Sequence, residues 1–176
     1  MPDNTVDVPG RARAIAAALA YAEPGERAAA RRMGAEGAAV FWRIVARHGI
    51  APKDEEKWRR ITKLLALLTP ASATESVHEA GRHFGAVLAD GGDAQARLEK
   101  PALSEHRLAR LLAARGQARL DALERAVRAL ARNRPKVDVE SLAWAVLNND
   151  ARAIARTYYT RLDRRADIAE KENTNE

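Results

Sequence analysis

The chain has 176 residues, 47% of them hydrophobic, a net charge of +6 and no cysteine, which fits one domain or two small lobes around a shared core. The missing cysteine excludes disulfides, thiol catalysis and cysteine-based zinc sites. No apolar run approaches the roughly 18–20 residues that a membrane span needs, so the chain reads as a soluble cytoplasmic protein.

The opening MPDNTVDVPG has no basic stretch followed by an apolar one, so residues 1–10 read as a flexible lead and not as a secretory signal. From there, apolar residues recur with a period near 3.6, and period-2 alternation is missing. The spacing predicts helices over 11–22, 26–32, 36–48, 54–68, 74–89, 104–115, 117–132, 138–147 and 150–167. Pro24-Gly25, Gly49 to Pro52, Thr69-Pro70, Gly91-Gly92, Pro101 and Pro135 fall between them, as helix breakers should. Asp54, Ser104, Asp138 and Asp150 are candidate N-caps, and Gly116 is a candidate C′ residue ending the 104–115 helix. Gly91-Gly92-Asp93 divides an N-terminal lobe (11–92) from a C-terminal lobe (93–170), and a polar tail (171–176) follows. The fold class is all-α, a bundle of eight or nine helices in two lobes.

Charge is distributed unevenly. Between Arg97 and Lys136 eleven basic residues stand against four acidic ones, while the other 136 residues sum to about −1. Twenty-four of the 30 basic residues are arginine, the side chain shaped for bidentate contact with phosphate. On the 117–132 helix, Leu120, Leu123, Val127 and Leu130 form an apolar stripe, with Arg125, Arg128 and Arg132 on the other side. Asp121 and Glu124 lie one turn before Arg125 and Arg128, so those two arginines read as internally offset. Arg107, Arg110, Arg115 and Arg119 have no acid three or four residues away, which makes them the leading candidates for anion contact. In the N-terminal lobe, Glu55 and Glu56 sit one turn before Arg59 and Arg60, while Lys63 has only like-charged neighbours. Lys53, Arg152 and Arg156 complete the candidate basic surface.

Chemistry-bearing motifs are missing. There is no HExxH pattern, no glycine-rich phosphate loop and no GxSxG elbow, and His78 and His83, five apart, lie on different helix faces. Asp54-Glu55-Glu56 reads as the acidic start of a helix. Trp42, Trp58 and Trp144 sit in apolar helical runs and read as core, whereas the adjacent Tyr158 and Tyr159 cannot both face inward. No catalytic residue, metal, cofactor or small-molecule substrate is expected.

The order of segments is distinctive: Phe41-Trp42-Arg43-Ile44-Val45 then Gly49-Ile50, a Trp58-to-Leu68 helix ending at Thr69-Pro70, and Phe84-Gly85-Ala86-Val87-Leu88-Ala89. Ser104-Glu105-His106-Arg107-Leu108, Leu142-Ala143-Trp144 and Ala155-Arg156-Thr157-Tyr158-Tyr159 follow. Over residues 36–162 this resembles the CasB family, the small subunit of the type I-E CRISPR surveillance complex Cascade. The resemblance implies a non-enzymatic, all-helical antiviral-defence subunit present in two copies. Those copies would touch each other, the large subunit and the backbone subunits, and would support guide RNA, target DNA and the displaced strand of the R-loop. By position, Arg107 matches the arginine of the family's SExR-type motif, and Arg115, Lys53 and Arg152 fall near its other basic positions. Sequence-independent support of strands needs arginines that track phosphates, and about five contacts imply a slope near −3.5 in log affinity against log salt. Two other readings fit the composition: a stand-alone helical DNA-binding regulator using 117–132 as recognition helix, and a helical adaptor for an acidic protein.

Overall fold

The computed structural model describes residues 7–71, 75–96, 98–148 and 151–173, with side chains as far as 164. Among these residues nine α-helices occur: α1 (Val8–Tyr21), α2 (Pro24–Arg32), α3 (Ala39–His48), α4 (Glu55–Leu68), α5 (Phe84–Asp90), α6 (Glu105–Ala113), α7 (Gly116–Ala131), α8 (Val139–Leu147) and α9 (Arg152–Asn173). A 3-10 turn, Pro52–Asp54, leads into α4. The fold is all-α, as the periodicity indicates; the described residues hold no strand, only one parallel bridge between His78 and Val137.

Local chemistry explains where the helices depart from the expected limits. α1 starts inside the expected lead, because Asp7 accepts a hydrogen bond from the Gly10 amide at 2.9 Å and Pro9 fits the first turn. Pro24 opens α2 rather than preceding it: Glu23 and Glu26 form a reciprocal capping box, and proline needs no amide partner at that position. α3 starts late, because Gly37 takes φ +75° and the Glu36 carboxylate turns back onto the Gly34 amide at 2.9 Å. Gly49, at φ +58°, closes α3 in the left-handed conformation that glycine adopts without strain. Ser104 and Asp138 cap α6 and α8 as expected. Asp54 takes the N-cap position of α4 as expected, but, held at the end of the 3-10 turn, its side chain makes no cap hydrogen bond. Gly116 is the first residue of α7 and not a C′ residue, because α6 ends in the extended Ala114. Asp150 lies outside the described residues.

The largest departure is residues 75–83, expected to be helical. This stretch is irregular up to α5: the Val77 carbonyl accepts from Val137, Glu79 donates to the Val137 carbonyl at 3.0 Å, and the Arg82 carbonyl accepts from Asp138. Val77 is fully buried there. Non-local backbone pairing has overridden local periodicity. At the other end, α9 runs on to Asn173 and takes in the first residues of the expected polar tail.

One core cluster extends from Val8 to Tyr158 and includes residues on both sides of Gly91-Gly92. α1 packs on α8, α4 on α7 and α8, and α5 most closely of all on α9. That last approach needs Gly85: a Cβ there would come within 2.2 Å of the Ile154 carbonyl oxygen. Trp58 is buried as expected, with the Arg11 guanidinium 4.8 Å from its ring centroid. Trp42 and Trp144 are not core; they are 44% and 42% exposed. Trp42 stays at the surface because its Nε1 donates to the Glu36 carbonyl at 3.0 Å. Tyr158 is buried and donates to the Leu103 carbonyl at 2.6 Å, while Tyr159 is partly exposed; burial, with Glu105 nearby, pushes the Tyr158 hydroxyl up to about 12. No helix among the described residues is long and apolar enough to cross a membrane.

The α5–α9 contact is locked by charge. Asp90, whose side chain is fully buried, accepts from Arg82 at 2.9 and 3.1 Å and from Arg161 Nε at 2.9 Å. Arg161 also donates to the Ala94 and Ala96 carbonyls. Removing one member of a buried ion pair strands the others, at a cost of about 3–5 kcal/mol. Asp90→Ala is therefore expected to lower unfolding free energy by about that amount in a urea titration; a loss under about 1 kcal/mol would show that the cluster does not hold the two helices together.

Candidate nucleic-acid interface

The arginines of this chain divide into two populations, and helix ends decide which is which. The last carbonyls of a helix have no partner within it and attract positive charge. Arg27, buried, donates to the carbonyls of Ala20 and Ala71. Arg31 donates to Ala66 at 2.9 Å and Thr69 at 3.1 Å. Arg11 closes the end of α3 at the His48 carbonyl. These guanidinium groups serve the fold.

Two of the candidate residues belong to that population. Arg119 is only 2% exposed, and its Nη2 donates to the Ala145 carbonyl at 3.1 Å and the Asn148 carbonyl at 3.4 Å, closing the end of α8. Lys63 is ion-paired across the helix interface with Glu124 at 3.0 Å. The sequence leaves both without an acidic neighbour on their own helix; the partners come from other helices.

Glu124 is the centre of a second charge cluster. It accepts from Arg60 at 2.6 Å, Lys63 at 3.0 Å and Arg128 at 2.7 Å, and Asp121 accepts from Arg60 at 3.2 Å and from Gln117 at 2.9 Å. Of the expected one-turn pairs, Glu124–Arg128 forms. Arg60 turns from Glu56 to α7, and Arg59 donates to the Gly34 carbonyl. Asp121 faces α4, so it does not offset Arg125, which is exposed and has no ion pair to a described residue. α4 thus takes up both acids of α7. Burial works against the Glu124 charge, but hydrogen bonds from Arg128 and Lys63, and their charges, outweigh it and hold the carboxyl below the ordinary glutamate value.

Apart from Glu105, the exposed charges of α6 and α7 are basic. Arg107 and Arg110 on α6, and Arg125 and Arg132 along α7, are exposed with no ion pair to a described residue. Arg115, also exposed, folds back so that Nη1 donates to the Leu112 and Ala114 carbonyls at 2.7 and 2.8 Å, holding its guanidinium at the α6–α7 bend. Lys53, Arg152 and Arg156 are exposed too.

The fold brings three of these to one end of the bundle. Lys57 Nζ reaches the Leu147 carbonyl at 3.4 Å and Arg119 reaches Ala145 and Asn148, so the end of α8 lies between the first turns of α4 and α7. Lys53 precedes Lys57 by one turn, Arg115 precedes Arg119 by one turn, and Arg152 opens α9 four residues after Asn148. Arg107 and Arg156 are placed by another contact. Tyr158 donates to the Leu103 carbonyl at 2.6 Å, and beside it Glu105 is near enough to Tyr159 to push its hydroxyl up, second to burial as a cause. The start of α6 therefore lies against the middle of α9, and Arg107 and Arg156 each fall within a turn of that contact. Arg132 is remote: the 16-residue α7 separates it from Arg115 by about 24 Å.

Compared with known proteins, residues 26–165 match the family model described as CRISPR-associated protein Cse2. No curated protein and no solved structure matches.

Two measurements check the division between buried and exposed charge. Arg119→Ala should cost about 2–4 kcal/mol of stability, since it orphans carbonyls at a buried helix end, whereas Arg107→Ala with Arg110→Ala should stay within about 0.5 kcal/mol per site; equal losses would contradict the division. For Glu124 the sign follows from its lowered value: its stabilisation is complete above the ordinary glutamate value and lost as pH falls through the depressed one. The stability gap between the parent chain and Glu124→Gln should therefore shrink as pH drops below about 4.5, and a gap constant down to pH 3 would refute the charge cluster.

Proposed function

The chain belongs to the Cse2 (CasB) family of type I-E Cascade, and from that premise we propose that it supports nucleic acid within the complex by sequence-independent phosphate contacts. Lys53, Arg107, Arg110, Arg115, Arg132, Arg152 and Arg156 are the contact residues, joined by Arg125, and the role is support rather than catalysis. The polyanions are guide RNA and target DNA, including the strand displaced when the R-loop opens. A second copy of the chain and the large and backbone subunits are its protein neighbours, in the cytoplasm.

The observation that carries this reading is the engagement of Asp121 and Glu124 by α4. It leaves Arg107, Arg110, Arg115, Arg125 and Arg132 exposed on adjoining helices with no ion pair to a carboxylate of the described residues. Like charges held close together at the surface repel, and a bound polyanion removes that repulsion. In guide-directed systems base pairing reads the sequence, so protein side chains need only hold the backbone. The recognition-helix alternative loses support, because Gln117, the amide on α7 best suited to reading bases, is bonded to Asp121.

Binding of a fluorescent single-stranded oligonucleotide tests the proposal. Arg107→Ala, Arg110→Ala and Arg115→Ala together should weaken binding at least about tenfold at low salt, roughly 1.4 kcal/mol. They should also flatten the salt slope by about 2, at 0.7 per lost contact, with the melting temperature unchanged. Undiminished affinity with an unchanged slope would overturn it, and normal complex assembly without any nucleic-acid affinity would favour the adaptor reading.

A further inference from the structure

A cleft of about 430 Å³ opens between the start of α5, α8 and the first turns of α9. Its floor includes Phe84, Gly85 and Ile154, and one wall is the half-exposed indole of Trp144. The floor is preformed: α5 and α9 touch so closely that Gly85 has no room for a Cβ. In a chain with 30 basic residues, no lysine or arginine among the described residues lines the cleft, whereas two carboxylates, Asp138 and Glu140, do.

Both carboxylates are held in place. Asp138 accepts from the Glu140 and Gly81 amides at 3.1 Å each, and Glu140 is ion-paired with Arg13 from α1. A cation entering over the exposed indole would meet an aromatic face and negative charge together, while its apolar neighbour would cover Phe84 and Ile154. With Glu140 offset by Arg13, the Asp138 carboxylate still disfavours phosphate. Two copies of the chain meeting through this same face would bring like charges together, which is unfavourable.

We propose that the Trp144 cleft takes an arginine or lysine side chain, with an adjacent apolar side chain, from a different protein subunit of the complex. The inference rests on membership of a multisubunit assembly and not on nucleic-acid binding, so the two fail separately.

A photocrosslinking amino acid tests it. His83, exposed on the rim at the start of α5, is replaced by p-benzoylphenylalanine, leaving Trp144 and both carboxylates intact, and the complete complex is assembled, irradiated and mapped by mass spectrometry. The expected product joins position 83 to another subunit, at a segment with arginine or lysine within two residues of an apolar side chain. Trp144→Ala should weaken retention in the complex about tenfold, while Trp42→Ala, at the other exposed indole, leaves it unchanged. Single-strand affinity of the isolated Trp144→Ala chain should equal the parent's. A crosslink to RNA or DNA, a crosslink to the second copy, an uncharged partner segment or no crosslink would each overturn the proposal.

Discussion

Hydrogen bonding of arginine to the carbonyls at helix ends is the constraint on which the rest of this structure depends. A bundle of short helices has many C-termini, each with carbonyl groups left unsatisfied by the helix itself. In a chain rich in alanine and arginine, the long guanidinium side chain can reach several of these ends without a carboxylate. Arg27 and Arg31 do so where α1 and α4 end, and Arg119 does so at the end of α8. Once these contacts are made, the helices are fixed in relative position, and the arginines that neither they nor a carboxylate engage are left at the surface.

The acids complete the sorting. Asp90 draws Arg82 and Arg161 inward and couples α5 to α9, while Glu124 and Asp121 turn toward α4. Each carboxylate that serves an inter-helix contact is one fewer to neutralise the outer face of α6 and α7. The exposed positive field is in this sense a consequence of how the core is held. The Trp144 cleft, lined by Asp138 and Glu140 and by no lysine or arginine among the described residues, has the opposite polarity to the exposed arginines of α6 and α7.

Much of the fold was legible in the sequence because burial follows helical periodicity: Leu108 and Leu111, Leu123, Val127 and Leu130, and Trp58 with Ile61 and Leu65 all lie where their spacing puts them. The order of those segments also sufficed to identify the family, which the match over residues 26–165 bears out. What could not be read was long-range. Nothing near Val77 announces a backbone pairing with Val137, sixty residues on, and nothing near Arg119 announces the end of α8. Asp121 sits one turn from Arg125 yet faces Arg60, because a partner on a packed helix is more desolvated and interacts more strongly than one along the exposed surface. Asp90, a carboxylate directly after the apolar run Gly85 to Ala89, was the one visible signal of a buried ion pair, since such a group requires cationic partners. Trp42 and Trp144 mislead because apolar neighbours in sequence do not place an indole inside.

Side-chain guanidinium NMR during titration with a single-stranded oligonucleotide tests the division of arginines most directly. The Nε–H resonances of Arg107, Arg110 and Arg125 are expected to shift and sharpen as phosphate binds, while those of Arg27, Arg31 and Arg119, already held by helix-end carbonyls, stay in place. Shifts confined to the second group, or spread equally over both, would contradict the claim that helix ends determine which arginines meet nucleic acid.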